Sequence, residues 1–149
     1  MTHKRSRLIF VAVAIVFLAV IGSAIPRESA VVPAWKIRVV DEAGKPYVGL
    51  QVRQAWKHYS LELEGGRNME DRWTDASGYV EFPARTLRLS LLSRAYRLVF
   101  TSGLKLLHGS TGIQADVAAT GPQGYESVRY VPGKLPPERL VLPRKDEDL

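Results

Sequence analysis

Residues 35–53 read WKIRVVDEAGKPYVGLQVR, and this stretch decides the fold class. Trp35, Ile37 and Val39 alternate with two basic residues, which is typical of a β-strand with one buried face. Residues 41–46 follow as DEAGKP, a composition that favours a tight reversal because Gly accepts positive φ and Pro limits strand pairing. The alternation then resumes, so the stretch predicts consecutive strands rather than a helix.

The same alternation predicts further strands along the chain, separated by turns rich in Gly, Asp, Ser and Pro. Their ranges are 48–63, 67–74, 80–82, 87–91, 96–100, 104–107, 113–117, 128–131 and 140–142. The Gly65-Gly66 pair indicates a hairpin between the first two of them. Because no segment after Pro26 has a sustained period of 3.6 residues, we expect little helix. The prediction is an all-β fold, a single antiparallel β-sandwich of about 7–8 strands, preceded by an N-terminal apolar helix.

The N-terminal segment has the composition of a membrane-targeting sequence. Lys4, Arg5 and Arg7 precede an uncharged run of 18 residues, LIFVAVAIVFLAVIGSAI, at Leu8–Ile25. This length lies between that of a signal-peptide core and that of a spanning helix. The segment therefore predicts either a signal peptide cleaved after Ala24 or an anchor. An anchor would place the following domain outside the cytoplasm by the positive-inside rule, and a cleaved signal peptide would likewise export it.

The expected organisation has four parts. They are residues 1–25 as signal peptide or transmembrane anchor, 26–33 as a linker, 34–143 as the β-sandwich domain and 144–149 as a charged tail. The expected location is the cell envelope, either as a single-pass inner-membrane protein or as a periplasmic or secreted one. The membrane would then be contacted through residues 8–25.

Composition excludes several classes of function. The chain has no Cys, which rules out disulfides, thiolate metal sites, a thiol nucleophile and a lipid-modified N-terminal cysteine. The net charge is +6, and about +3 without the three cations of the N-terminal segment. This charge is low and contains no dense Lys/Arg block, so we expect no nucleic-acid partner.

The turn chemistry from Trp35 to Phe82 resembles that of the carboxypeptidase regulatory-like domains, which have a transthyretin-like (prealbumin-like) sandwich fold. The matching positions are Asp41, Gly44, Pro46, Val48, Gly49, Val52, Thr74, Asp75, Gly78 and Phe82. The resemblance implies a non-catalytic module of an exported or cell-surface protein. Two departures are Leu50, where a small residue is more usual, and the longer, more charged segment His58–Arg72.

A group of aromatic and charged residues in and next to that segment is the candidate recognition surface. Its members are Trp56, His58, Tyr59, Arg72 and Trp73, with Glu62, Glu64 and Glu70 nearby. Rigid rings beside charges suit the recognition of a sugar or an extended peptide. The alternative is that the tryptophans belong to the core or to cross-strand pairs while the charges face water.

We predict no catalytic, cofactor or metal site. His58 and His108 have no ligand spacing, and Asp41 and Asp75 are typical of turns that bind their own backbone, although both could bind calcium. The leading hypothesis is a non-enzymatic envelope module that binds an envelope protein or a polysaccharide. One alternative is a carbohydrate-binding module using Trp56, Tyr59 and Trp73. The other is a small transthyretin-like hydrolase, which would need His58 or His108 beside a carboxylate in a deep pocket.

Overall fold

The computed structural model describes residues 2–63, 65–108, 111–122 and 124–143, with side chains omitted for 2–8 and 103–108. These residues form two helices, α1 (Thr2–Ala24) and α2 (Leu91–His108), and nine strands. The strands are β1 (Pro26–Val32), β2 (Trp35–Val40), β3 (Gln51–His58), β4 (Asn68–Trp73), β5 (Tyr79–Phe82), β6 (Arg85–Ser90), β7 (Ile113–Gly121), β8 (Gly124–Tyr130) and β9 (Arg139–Val141). The chain is therefore mostly β, with mainly antiparallel sheets and an N-terminal helix. The predicted charged tail at 144–149 lies outside the described residues.

Three sheets account for these strands. Their strand orders are β1-β6, β5-β2-β9 and β4-β3-β7-β8. Both larger sheets contribute side chains to one hydrophobic core. From the three-stranded sheet come Trp35, Ile37, Val39, Val80, Phe82 and Leu140, and from the four-stranded sheet come Val52, Ala115, Val117, Ala119 and Tyr130. The predicted alternation in β2 is confirmed, since Trp35, Ile37 and Val39 are buried while Lys36 is exposed.

Two turns fold as their side chains predict. The Asp41 carboxylate accepts a hydrogen bond from the Lys45 backbone N–H at 2.7 Å, and Gly44 has a φ of 83°. The Asp75 carboxylate likewise accepts from the backbone N–H groups of Ser77 and Tyr79, at 2.8 and 2.9 Å. Both aspartates thus stabilise local reversals by binding backbone amides.

The expectation of little helix is wrong, because residues 96–100 and 104–107, predicted as strands, belong to α2. Ser90 caps this helix, since its hydroxyl accepts a hydrogen bond from the Ser93 backbone N–H at 3.1 Å. Short apolar runs with mixed spacing satisfy both a period of 2 and a period of 3.6. The cap at Ser90 favours the period of 3.6, and so the helix.

Two other expectations are corrected. Residues 26–33, predicted as a linker, contain strand β1, which pairs with β6 from Pro26↔Ser90 onward and buries Val31 and Val32. The predicted wholly antiparallel arrangement is also wrong, because β9 pairs in parallel with β2. The chain leaves β8 and returns beside β2 in the same direction, where the Arg38 N–H donates to the Glu138 carbonyl at 2.9 Å.

The β3–β4 hairpin forms, with a longer connection than a two-residue turn. Its last pair is Trp56↔Asn68, and residues 59–67 connect the strands. The His58 carbonyl accepts from the backbone N–H groups of Leu61 and Glu62, at 2.9 and 2.8 Å, so the chain turns immediately after β3. Among the described residues with placed side chains, we find no helix that is both long and apolar enough to cross a membrane.

Candidate functional site

The outward side of the four-stranded sheet carries an open groove of about 370 Å³. We call it the outer groove. Its lining is Gln51, Arg53, Ala55, Arg67, Met69, Asp71, Asp116, Ala118, Thr120 and Tyr125. Small residues form its floor, since Ala55 and Ala118 are each only 7% exposed, and longer polar side chains rise around them. The alternation of strands β3 and β7 places these residues opposite the core.

Two exposed aromatic rings mark the ends of one row across this groove. Trp73 pairs with Gln51, and Tyr125 pairs with Thr120. Because Val52 pairs with Ala119, Gln51 and Thr120 lie side by side between the two rings. Trp73 is 63% exposed and Tyr125 is 62% exposed. The backbones of Trp73 and Tyr125 are three strand spacings apart, a distance of about 14 Å.

An ion pair fixes the polar side of the groove next to this row. Arg53 binds both carboxylate oxygens of Asp71, through Nε at 2.6 Å and Nη2 at 2.7 Å. Gln51 Nε2 donates to the same carboxylate at 2.9 Å. The hydrogen bond from Arg53 lowers the pKa of Asp71 and raises the pKa of Arg53. Asp71 therefore remains ionised, an acceptor rather than a proton donor at neutral pH.

A second ion pair lies at the end of the groove next to the connection between β3 and β4. The Arg67 guanidinium donates to the Asp116 carboxylate and, at 3.3 Å, to the Ala55 carbonyl oxygen. Arg67 lies in the connection between β3 and β4, and Asp116 lies on β7, so this contact ties the connection to the sheet. The arrangement offers donors and acceptors that sugar hydroxyls use, beside rings on which sugar faces stack.

The five residues predicted as one recognition surface lie on two sides of the sheet. Trp56 faces the core side, packed against the core and under the Arg85 guanidinium, whose central carbon is 4.0 Å from the ring centroid. Arg72 also faces inward, where it donates to Glu70 at 2.6 Å. Trp73 faces the outer groove at the other end of the hairpin. Trp56, Tyr59 and Trp73 therefore do not form a shared platform, because register places the two tryptophans on opposite faces.

His58 and Tyr59 lie at the end of β3 near α2 rather than in the groove. Burial is the main cause that lowers the pKa of His58, and its Nδ1 is buried without a hydrogen-bond partner among the described residues. Glu62, the nearby carboxylate, accepts from the His58 backbone N–H at 2.6 Å and from Asn68 at 3.0 Å. Tyr59 lies beside the Lys57 ammonium, 5.5 Å from its ring centroid. Glu64 and the His108 side chain lie outside the described residues.

A buried polar network on the core side supports the hairpin that carries the groove. Arg85 Nε donates to the Gln54 side-chain carbonyl at 2.8 Å, and Arg85 Nη2 lies 2.6 Å from Glu70 as an ion pair without hydrogen-bond alignment. Hydrogen bonding by Arg72 is the main cause that lowers the pKa of Glu70, with a further contribution from Arg85. Gln54 is fully buried. The network joins β6 to β3 and β4, and so fixes the hairpin from behind.

A larger cavity of about 490 Å³ lies on the outward side of the three-stranded sheet, beside Lys36, Arg38 and Tyr79. Two of the cations that line it are bound within the fold, since Lys36 pairs with Glu81 at 2.7 Å and Arg38 donates to the Ser77 carbonyl at 3.0 Å. Within the described ranges, no group of three or more His, Asp or Glu side chains is placed to hold a metal ion.

Sequence reasoning missed most residues of the outer groove. Gln51 and Arg53 alternate with Val52, a signal that they face water, but nothing local indicates that they meet Thr120. Tyr125 is the second residue of β8, a strand that was predicted to begin only at Val128. The row exists only because β3, β4, β7 and β8 pair in this register. No family model, curated protein or solved structure matches this chain.

Proposed function

We propose that this protein is a membrane-attached envelope module of the prealbumin-like β-sandwich type that binds an extended glycan in the outer groove. The observation that carries the proposal is the row from Trp73 through Gln51 and Thr120 to Tyr125. Aromatic residues whose backbones lie three strand spacings, about 14 Å, apart suit an oligosaccharide of a few residues lying across the strands. A compact ligand would reach only one of them.

The polar groups between the rings support a sugar rather than an apolar ligand. Asp71 accepts and Arg53 donates, so a pair of neighbouring hydroxyls could bridge the two side chains. The groove is shallow and faces water, which suits binding of a polymer along its length. Because Asp71 is held ionised by Arg53, it is suited to positioning hydroxyls and not to protonating a leaving group.

Membrane attachment rests on the sequence of the N-terminal segment. Its uncharged run Leu8–Ile25 follows three cations, and the large apolar side chains from Ile9 to Ile21 are at least 46% exposed. Exposed apolar side chains all around a helix need an apolar surrounding. The turn motifs shared with the carboxypeptidase regulatory-like domains support an exported binding module in the same way.

The test is glycan binding by the full-length protein in nanodiscs, first on an array of neutral and acidic oligosaccharides and then by titration calorimetry with the best-bound sugar. We expect Trp73→Ala and Tyr125→Ala each to weaken binding at least about tenfold, because each removes a ring worth about 1.5–3 kcal/mol when covered. Leu135→Ala, which truncates a side chain 88% exposed outside the groove, is the matched control.

Each outcome decides one part of the proposal. Equal affinity of the three variants would place the glycan elsewhere on the protein. Absence of binding to every oligosaccharide of the array would refute the glycan as ligand. If the wild-type protein is recovered in the soluble fraction, with the mass of a chain that starts at Ile25, membrane attachment is refuted. This result would not affect the proposal for the outer groove.

A further inference from the structure

Helix α2 begins beside the point where α1 ends. Strands β1 and β6 are antiparallel, and their terminal pair is Pro26↔Ser90. Pro26 comes two residues after the last residue of α1, and Ser90 immediately precedes α2. The two helices are also in contact with each other. If α1 emerges from a surface, α2 therefore starts next to that same surface.

The polar side of α2 faces the body of the protein. Arg94 donates to the Arg27 carbonyl at 3.1 Å and to the Ser29 hydroxyl, both on β1. One turn later, Arg97 donates to the Leu61 carbonyl. Thr101, a further turn along, lies 3.4 Å from the Ser60 carbonyl. These three residues are spaced three and four positions apart and so lie on one face of α2. This polar face, which would normally contact water, packs against the body of the protein instead.

The apolar side of α2 faces outward. Leu92, Tyr96 and Val99 are 60, 66 and 76% exposed, and they share the face opposite Arg94 and Arg97. Phe100 adds to this face, with its ring stacked on Tyr96 at 6.2 Å between centroids. A surface helix of a globular protein has the reverse orientation. We call this exposed surface, Leu92, Tyr96, Val99 and Phe100, the α2 apolar face.

We propose that the α2 apolar face lies in the membrane interface, with α2 parallel to the bilayer surface beside the exit of α1. This inference rests on the membrane attachment proposed above. The bilayer is the occupant because the α2 apolar face starts next to α1, whose own exposed apolar side chains require the same surrounding. Tyr96 and Phe100 are residue types that favour the interface, where an amphipathic helix buries one face to a depth of about 5–10 Å.

The consequence is a fixed orientation of the domain. Strand β1 leads away from the interface and β6 leads back to it, and α2 resists rotation about α1. Two contacts with the bilayer hold a domain more firmly than one helix followed by a free linker. The outer groove would then keep a constant orientation relative to the membrane.

The absence of native cysteine allows a direct test with single-cysteine variants of the full-length protein in liposomes. A nitroxide label is placed at Leu92→Cys and Val99→Cys on the α2 apolar face. Leu135→Cys serves as the control exposed to water, and Ile15→Cys reports α1. Electron paramagnetic resonance then compares collisions with oxygen, which concentrates in lipid, and with a nickel chelate, which stays in water.

We expect the oxygen-to-nickel collision ratio at Leu92 and Val99 to be several-fold above that at Leu135 and to approach that at Ile15. If Ile15 reports lipid while Leu92 and Val99 match Leu135, the inference is overturned and the anchor stands. Dipolar broadening between Val99 labels that disappears on dilution with unlabelled protein would show a second copy on this face, which also overturns it. If Ile15 itself reports water, membrane attachment fails and the inference falls with it.

Discussion

The Arg85 guanidinium lies over the ring of Trp56, with its central carbon 4.0 Å from the ring centroid. The Arg85 side chain is only 12% exposed and is bound on its other sides by Gln54 and Glu70. A cation is thus held at the edge of the core by a ring, an amide and a carboxylate. Removing it would leave the buried Gln54 amide and the Glu70 carboxylate without their shared partner.

We therefore expect Arg85→Met to lower the free energy of unfolding by about 2–4 kcal/mol, since breaking one side of a largely buried pair costs more than the pair contributes. Urea unfolding followed by near-ultraviolet circular dichroism measures it. Arg88→Met is the matched control, because Arg88 is exposed on the same strand, and we expect a change within about 0.5 kcal/mol. Equal effects of the two substitutions would contradict a stabilising role for the network.

Among the glycines whose surroundings the structure describes, Gly78 leaves the least room for a side chain. It has a φ of 79°, and a Cβ there would lie 2.8 Å from the Val39 carbonyl oxygen and 2.8 Å from the Pro46 Cβ. Gly44 has a similar φ of 83°, but a Cβ there would meet only Arg139 at 3.9 Å. Substitution of both glycines therefore separates the free-energy cost of positive φ from the cost of a steric clash.

We expect Gly44→Ala to cost about 1 kcal/mol of unfolding free energy and Gly78→Ala about 3–5 kcal/mol, because only the second adds a steric clash to the strain of positive φ. Thermal or urea unfolding of both variants provides the measurement. If the two costs are equal, then the contact between the Gly78 turn and the Pro46 turn is looser than described.

The pH dependence of stability between 7.5 and 5.5 should depend on His58. Burial and the Arg94 charge lower the pKa of His58, so the unfolded chain takes up a proton at a higher pH than the folded one. Stability is complete above about pH 6.5, the ordinary value for His, and falls as the pH drops toward the lowered pKa.

We expect the wild-type protein to lose stability from pH 7.5 to 5.5 and His58→Asn to lose less. Urea midpoints at several pH values give the slope directly. His3→Asn, which changes a residue before the apolar run, should retain the wild-type slope. An unchanged slope in His58→Asn would show that His58 titrates equally in both states.

Local chemistry predicted the parts of the fold that depend on few residues. The alternation in Trp35–Val40 is decided within one strand, and the Asp41 and Asp75 turns are decided within five or six positions. Helix α2 was missed because its apolar residues fit two periods, and its cap, Ser90, is a residue that is also common in turns. The parallel pairing of β9 depends on a long return path that leaves no periodic signal.

The candidate site was predicted only in part, because its composition depends on register. Trp73 was named and lies on the outward face of the sheet, paired with Gln51 at the edge of the groove, while Trp56 was named and lies behind the sheet. The pairs Gln51↔Trp73 and Trp56↔Asn68 decide this, since a shift of one residue exchanges the two faces. Tyr125 enters the row through β7, more than 50 positions from Trp73 in sequence. Sequence spacing could not place it there.

Trp35 joins two segments 102 positions apart, and its substitution tests the link between β2 and β9. Its Nε1–H donates to the Pro137 carbonyl oxygen at 2.6 Å, and its ring is 1% exposed beside Tyr130. Trp35→Phe removes the donor and part of the ring, so we expect a loss of about 2–4 kcal/mol from the orphaned carbonyl and the cavity. Trp73→Phe, at 63% exposure, should change stability by about 0.5 kcal/mol or less. Similar losses in both would mean that the Pro137 contact does not hold β9 beside β2, because only Trp35 is bonded to the segment that leads into that strand.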